Sequence, residues 1–355
     1  MNNYHLLLHS TSFRKLQDYR TELAVRGLVG AGGRLRANLW GQDVTSLSDE
    51  AFLQHLLNTK SPCRDEQGEV HGDGRDWNST ELALLADLGL AVPVQFFDDG
   101  RLDLPQVHQQ PLAGTLIFTA GVVLGSREGG AAADWAAVTH NGRIEVTAYQ
   151  ALYERRLVPL LLHINADARS HGQKALVTLP GLGGGPLAGP FQGKMGTRFK
   201  DTLLALLGKL APHLSAIQAI YYDPSDEGGN ERHDFGGVSL RVRPLNQGNG
   251  TKPQLCPPEI YAEKGEDLEA CRLYSLAAWE PTCWPGDSFW GGARASDEGA
   301  KAAATDVLRA LTGIEGQYDP QRHAYQPPPP YRTWEQLARN QPVSLRIGDN
   351  LQILG

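Results

Sequence analysis

The sequence predicts an α/β protein: a largely parallel sheet flanked by helices, preceded by a mainly helical N-terminal region. Three observations carry that reading. From residue 106 onward short apolar runs alternate with helical patterns, which builds a sheet covered on its faces. One run, 174–180, opens into a glycine-rich loop and then a helix with leucines at 203, 204, 206, 207 and 210. Residues 1–105 instead carry apolar positions at helical spacing, separated by polar stretches.

Along the chain, residues 13–29 and 49–57 read as helices, the second capped by Ser48. Asn78 with Glu81 forms a capping-box signature ahead of LALLADLGL. The stretch SPCRDEQGEVHGDGRDW between them is polar and without period, as a solvated loop is. Its Asp65, His71, Asp73 and Asp76 match no metal-site spacing, so no metal is expected. Strands are expected at 115–121, 157–165, 174–180, 217–223, 238–245 and 272–279, and helices at 148–155, 197–210 and 297–311. Ser296 is a good N-cap for the last helix and Gly313 a good terminator. The tail, with prolines at 327–330 and the short helix TWEQLARN, reads as a wrap over the body. Three segments result: 1–105, 106–325 and 326–355.

Composition narrows the partners. With 41% apolar residues over 355 positions the chain can bury a sizeable core. A formal charge of −7 argues against a nucleic-acid backbone as partner. The apolar runs 6–8 and 157–164 are too short for a signal segment or a membrane span. Cys63, Cys256, Cys271 and Cys283 form no CxxC pair and are expected to be reduced thiols in a cytoplasmic protein; an exported effector would read the same.

The loop after residue 180 holds Gly181, Gly183, Gly184, Gly185 and Gly189. Such a loop between strand and helix aims bare backbone N–H groups at a phosphate. It lacks the Gly-Lys-Ser/Thr of a P-loop, and Ala188 stands where a dinucleotide fingerprint has its third glycine.

A second constellation is WEPTCWPGDSFWGGARASDEGAKAAATD, residues 279–306. It sets Trp279, Trp284, Phe289 and Trp290 around Asp287, Asp297 and Glu298. Acids in a first helical turn stabilise the helix dipole by about 0.3–1 kcal/mol. That accounts for Asp297 or Glu298 but not for Asp287 or the aromatics. Aromatic walls with a few convergent polar groups are how a base and a sugar are held. Both loops follow expected strands, where ligands of parallel sheets bind.

Together the two segments resemble a known family. PGLGGGPLAGPF resembles the diphosphate loop of macrodomains, and WPGDSFWGGARASDEGAKAAATDVLRALTG resembles the macrodomain-like ADP-ribosylarginine hydrolases of the MavL type, over roughly residues 106–325. The resemblance implies a macrodomain-like core and a hydrolase that frees ADP-ribose from arginine side chains of mono-ADP-ribosylated proteins, without cofactor, nucleic acid or membrane. It implies that Asp287 and Asp297 are catalytic. It also implies that Gly181, Leu182, Gly183, Gly184, Gly185, Leu187, Ala188, Gly189 and Phe191 hold ADP-ribose, with Trp284, Phe289 and Glu298 around it. One departure stands out: Trp279 occupies a position where a further acid is expected, with Glu280 beside it. Asn165, in HINADAR, is the candidate for the asparagine of the family's early catalytic loop. A non-catalytic ADP-ribose reader, or an enzyme acting on a free ADP-ribose-like nucleotide, are the alternatives.

Overall fold

Two apolar cores lie on opposite faces of one nine-stranded sheet in the computed structural model, which describes residues 4–62, 72–125, 132–224 and 227–355. Cys63, Asp65 and His71 fall outside the described residues. The strands are β1 (His5–His9), β2 (Gly89–Asp98), β3 (Val107–Thr119), β4 (Ala175–Pro180), β5 (Ile217–Asp223), β6 (Glu231–Phe235), β7 (Val238–Val242), β8 (Arg272–Ala278) and β9 (Leu351–Leu354). Their order is β9-β1-β2-β3-β8-β4-β5-β7-β6. The run β3-β8-β4-β5-β7 is parallel throughout. Alternation assigns the faces: Leu6, Leu116 and Leu273 join one core, Leu7, Ile117 and Tyr274 the other.

The helices that matter here are α1 (Ser10–Arg26), α2 (Asp49–Leu57), α3 (Ser79–Asp87), α4 (Val146–Ser170), α5 (Met195–Leu210), α6 (Asp287–Trp290), α7 (Asp297–Ala303), α8 (Val307–Thr312) and α9 (Trp334–Asn340). The capping box at α3 forms as expected, with both Asn78 and Glu81 taking part. Glu81 does more than cap. Its carboxyl also accepts the Tyr19 hydroxyl at 2.7 Å and the Gly32 N–H at 2.8 Å.

Two expectations are corrected. Residues 157–165 are not a strand but the middle of α4, a 25-residue helix with Pro159 inside it. Leu157, Leu160, Leu161, Ile164 and Ala168 are among its buried positions and recur at helical steps of three and four. The run reads as continuous because Val158 and Pro159 are buried as well. Residues 297–311 are two helices, α7 and α8. The break lets Ala304 O accept Phe97 N–H and Asp306 accept Gln95 N–H at 2.8 Å, so β2 docks on it. The N-terminal region is mainly helical, as expected, and also carries strands. It supplies β1 and β2, and the tail supplies β9, which pairs in parallel with β1.

The joint between these parts is a buried charge cluster. Arg156 of α4 bonds Asp87 at 3.3 Å and Asp134 at 2.9 and 3.0 Å, and Arg155 shares Asp87 at 2.9 Å. Removing one partner from a buried pair leaves a charge uncompensated, at a cost of about 3–5 kcal/mol. Arg156→Met is therefore expected to lower the unfolding free energy by about that amount, read from the urea midpoint at unchanged slope. A loss below about 1 kcal/mol would show that the cluster is not what joins α3 to α4.

Candidate functional site

Because five strands run the same way, the segments after β3, β8, β4, β5 and β7 emerge on one edge of the sheet. The glycine loop after β4 lies there, interlocked with residues 120–125 after β3. Leu124 and Gly125 donate their N–H groups to Leu187 O at 2.7 and 2.9 Å. Gly183 (φ 72°) and Gly189 (φ 56°) adopt left-handed backbone. A Cβ at either would press into this neighbouring loop. The fold itself therefore demands glycine at these two positions.

Gly184 and Gly185 are different. Neither has positive φ. A Cβ on Gly184 would meet only Gly181 O, at 3.4 Å, and one on Gly185 would meet nothing within 4 Å. The fold leaves room for a side chain at both positions; Gly184 is half-buried, with its N–H bonded to Gly181 O at 3.3 Å, and Gly185 is exposed. Leu182 and Ala188 are buried beneath the loop, Leu187 is half-buried, and Gly181 lies beside Asp223 and Pro224. Phe191 is half-buried against Trp135, ring centroids 5.9 Å apart. At the start of α5, the Thr197 N–H is already bonded to Glu227 at 3.0 Å.

The acidic constellation follows β8. Asp287, 5% exposed, opens α6 and accepts the Ser296 hydroxyl at 2.8 Å and the Ser288 N–H. Asp297, its side chain 42% exposed, opens α7 and pairs with Lys301 at 3.2 Å. Glu298, buried, accepts the Gly286 N–H at 2.7 Å. Burial, and then the charge of Asp287, push the Glu298 carboxyl well above the usual carboxylate range. It therefore favours its neutral form and steadies the turn that carries Asp287. Asp287, Asp297 and Glu298 are thus brought together, and α7 packs directly on α6.

The aromatics are placed otherwise than as open ligand walls. Trp279, Trp284, Phe289 and Trp290 are all buried in the core beneath the loop. Trp279 N–H groups bond Thr119 O and Cys283 O, Trp290 bonds Pro285 O, and Trp284 meets Trp290 edge to face at 5.7 Å. Asn165 is tied to the Ala216 N–H at 2.8 Å, at the amino end of β5. That is the edge opposite the loops, so it serves the fold.

Two buried amines complete the site, and both are absent from the sequence-based expectations. Lys301 donates to Gln254 at 2.7 Å and to Leu276 O as well as pairing with Asp297. Its spacing of four from Asp297 on one helix was the available signal. Lys60 comes from the distant segment after α2. Its ammonium lies 3.9 Å over the Trp279 ring and donates to Pro281 O at 2.6 Å. Ser61 N–H bonds Thr282 O, and Ser61 O accepts Trp284 N–H. Trp279, standing where an acid is expected, thus carries a cation on its face.

Among the described residues no group of three or more His, Cys, Asp or Glu is placed to hold a metal. Asp73 accepts the Arg75 N–H at 3.0 Å and Asp76 pairs with Arg34 at 3.3 Å. Cys256, Cys271 and Cys283 are buried, and no described helix is long and apolar enough to cross a membrane.

A mixed sheet whose parallel strands deliver a glycine-rich loop and an acidic loop to one edge defines a macrodomain-like protein. The chain belongs to the family of the macrodomain effector MavL, whose model matches residues 4–331. Membership suggests binding or hydrolysis of ADP-ribose, and the match takes in the N-terminal region that supplies Lys60. No curated protein matches the chain.

Lys60 gives the site a pH signature. Burial drives its pKa down to about 7, opposed by Cys283 and Glu298. In the unfolded chain a lysine titrates near about 10.4. Between these values the unfolded state binds more protons, so stability from this group rises with pH and is lost as pH falls through about 7. Wild-type protein is expected to gain stability relative to Lys60→Met between pH 7 and 9, with a slope of at most about 1.4 kcal/mol per pH unit. Parallel denaturation curves at pH 6, 7, 8 and 9 read it; a constant difference would refute it.

Proposed function

We propose that this protein is a hydrolase that removes ADP-ribose from arginine side chains of modified proteins. The observation that carries the reading is the pair of glycines 184 and 185, which the fold does not itself require, on the same sheet edge as Asp287 and Asp297. Loop N–H groups suit a diphosphate. The half-exposed carboxylate of Asp297 suits ribose hydroxyls, and Asp287, oriented by Ser296, suits the developing positive charge of an oxocarbenium-like state. One of the two orients the attacking water. Water oxygen bonds to the anomeric carbon as the ribose–guanidino C–N bond breaks, and the guanidine leaves with the bonding pair and takes up a proton from the water. Guanidine is basic enough to need little help from a protein acid. Glu298 is no donor to it, being sealed and bonded to Gly286.

The acids Asp287, Asp297 and Glu280 also favour an approaching guanidinium over an ester-linked acidic side chain. We place the activity in a cytoplasm, the protein's own or that of a host into which an effector is delivered. Trp279 in place of an acid favours one second reading, a non-catalytic ADP-ribose reader.

Binding and chemistry separate experimentally. ADP-ribose is expected to give calorimetric heat and raise the melting temperature. Gly184→Val is expected to abolish binding with the fold intact, since its Cβ has room. Asp287→Asn and Asp297→Asn should each lower kcat by about 10²–10³-fold while affecting ADP-ribose affinity much less. Peptides modified singly at arginine, glutamate or serine decide the linkage. Faster release from glutamate or serine would overturn the arginine assignment, binding without turnover would favour the reader, and no heat at millimolar ADP-ribose would sink both.

A further inference from the structure

The loops after β3 and β4 do not belong to neighbouring strands. β8 lies between them in the sheet. Something must hold them together across its end, and α4 supplies it. Tyr153 and Arg156 stand three residues apart on that helix, on one side of it, both buried. The Tyr153 hydroxyl accepts the Val122 N–H at 3.0 Å and donates to Leu182 O at 3.1 Å. One oxygen thus bridges the two loops. Arg156 donates to Gly121 O at 2.7 Å, and its partner Asp134 accepts the Val123 N–H at 2.9 Å. The segment 121–125 is therefore held at every residue, with Leu124 and Gly125 bonded onward to Leu187. The fit is close: a Cβ on Gly121 would lie 2.3 Å from Gly183 N.

The ring of Tyr153 packs on Tyr149 at 4.9 Å and on Phe199 at 4.6 Å. A phenylalanine would fill that space equally well, so the hydroxyl is needed for the bridge and not for packing. The position is a wholly buried one where a polar group must find partners. One partner, Leu182 O, lies two residues before Gly184, and the other, the Val122 N–H, lies on the facing loop.

We infer that Tyr153 is the positioning residue that clasps loops 121–125 and 181–189 together, so that the backbone of Gly184 and Gly185 is presented to an anionic ligand in one fixed conformation. The identity of that ligand rests on the ADP-ribose reading; the clasp does not. A surface held in its bound shape spends less binding energy on ordering. Because a diphosphate contact is made equally in ground and transition states, the effect should fall on binding rather than on the chemical step.

The test is Tyr153→Phe in the full chain, with Phe199→Leu as a variant that disturbs the same packing without touching the bridge. In Tyr153→Phe, amide hydrogen exchange without ligand should quicken about tenfold in 121–125 and 181–189. ADP-ribose affinity should weaken about tenfold and KM rise in step, with kcat within about twofold. Phe199→Leu should lower the unfolding midpoint more than Tyr153→Phe does and leave affinity unchanged. Unaltered exchange in both segments would overturn the clasp, and quickened exchange with unaltered affinity would overturn its role in ligand presentation. If wild-type protein binds no ADP-ribose, the functional reading fails, while the exchange result still decides the clasp.

Discussion

A guanidinium sealed from water has to be matched by charge, and Arg156 is matched by two carboxylates from separate stretches of chain. Asp87 ends the helix that precedes β2, and Asp134 stands beyond the loop that follows β3. Satisfying one side chain thus fixes the N-terminal helices, the long helix across the sheet and the loop at the sheet's carboxyl edge relative to one another. The site inherits its geometry from that joint. Buried core residues decide where the loop backbone at that edge lies.

The same logic governs charge at the acidic loop. Three carboxyl groups within one short stretch repel one another, and the structure answers in two ways. Glu298 is buried until its neutral form is favoured, and Lys301 and Lys60 bring amines in from below and from the far N-terminal segment. The N-terminal region thus reaches beneath the acidic loop. This accords with a family match that begins at residue 4.

What could be read from the sequence was local chemistry. The Asn78–Glu81 box, the strand 217–223, the glycine loop and the first-turn acids after Ser296 each depend on neighbours within a few residues. What could not be read depends on the other side of a contact. Residues 157–162 form an unbroken apolar run because α4 is covered on most sides, which erases the helical period. The break between α7 and α8 exists because β2 donates Gln95 N–H to Asp306, a partner far away in sequence. Trp284 and Phe289 looked like ligand walls because composition does not say which way a ring points; they face the core. Lys60 sits in no motif at all, and its importance comes from partners distant in sequence, the Trp279 ring and Pro281 O.

The parallel pairing of His5–His9 with Leu351–Leu354 has a consequence during synthesis. The two segments are joined by a hydrogen bond from Ser10 to Gly355 that spans 345 residues. At about 5–20 residues per second, the first strand emerges from the ribosome on the order of tens of seconds before its outer neighbour exists. Through that interval one row of its backbone N–H and C=O groups stays unpaired, a template for another nascent chain. Leu6, Leu7 and Leu8 make it an apolar one. Polysome crowding and chaperone supply should therefore govern the yield of native protein more than its equilibrium stability does.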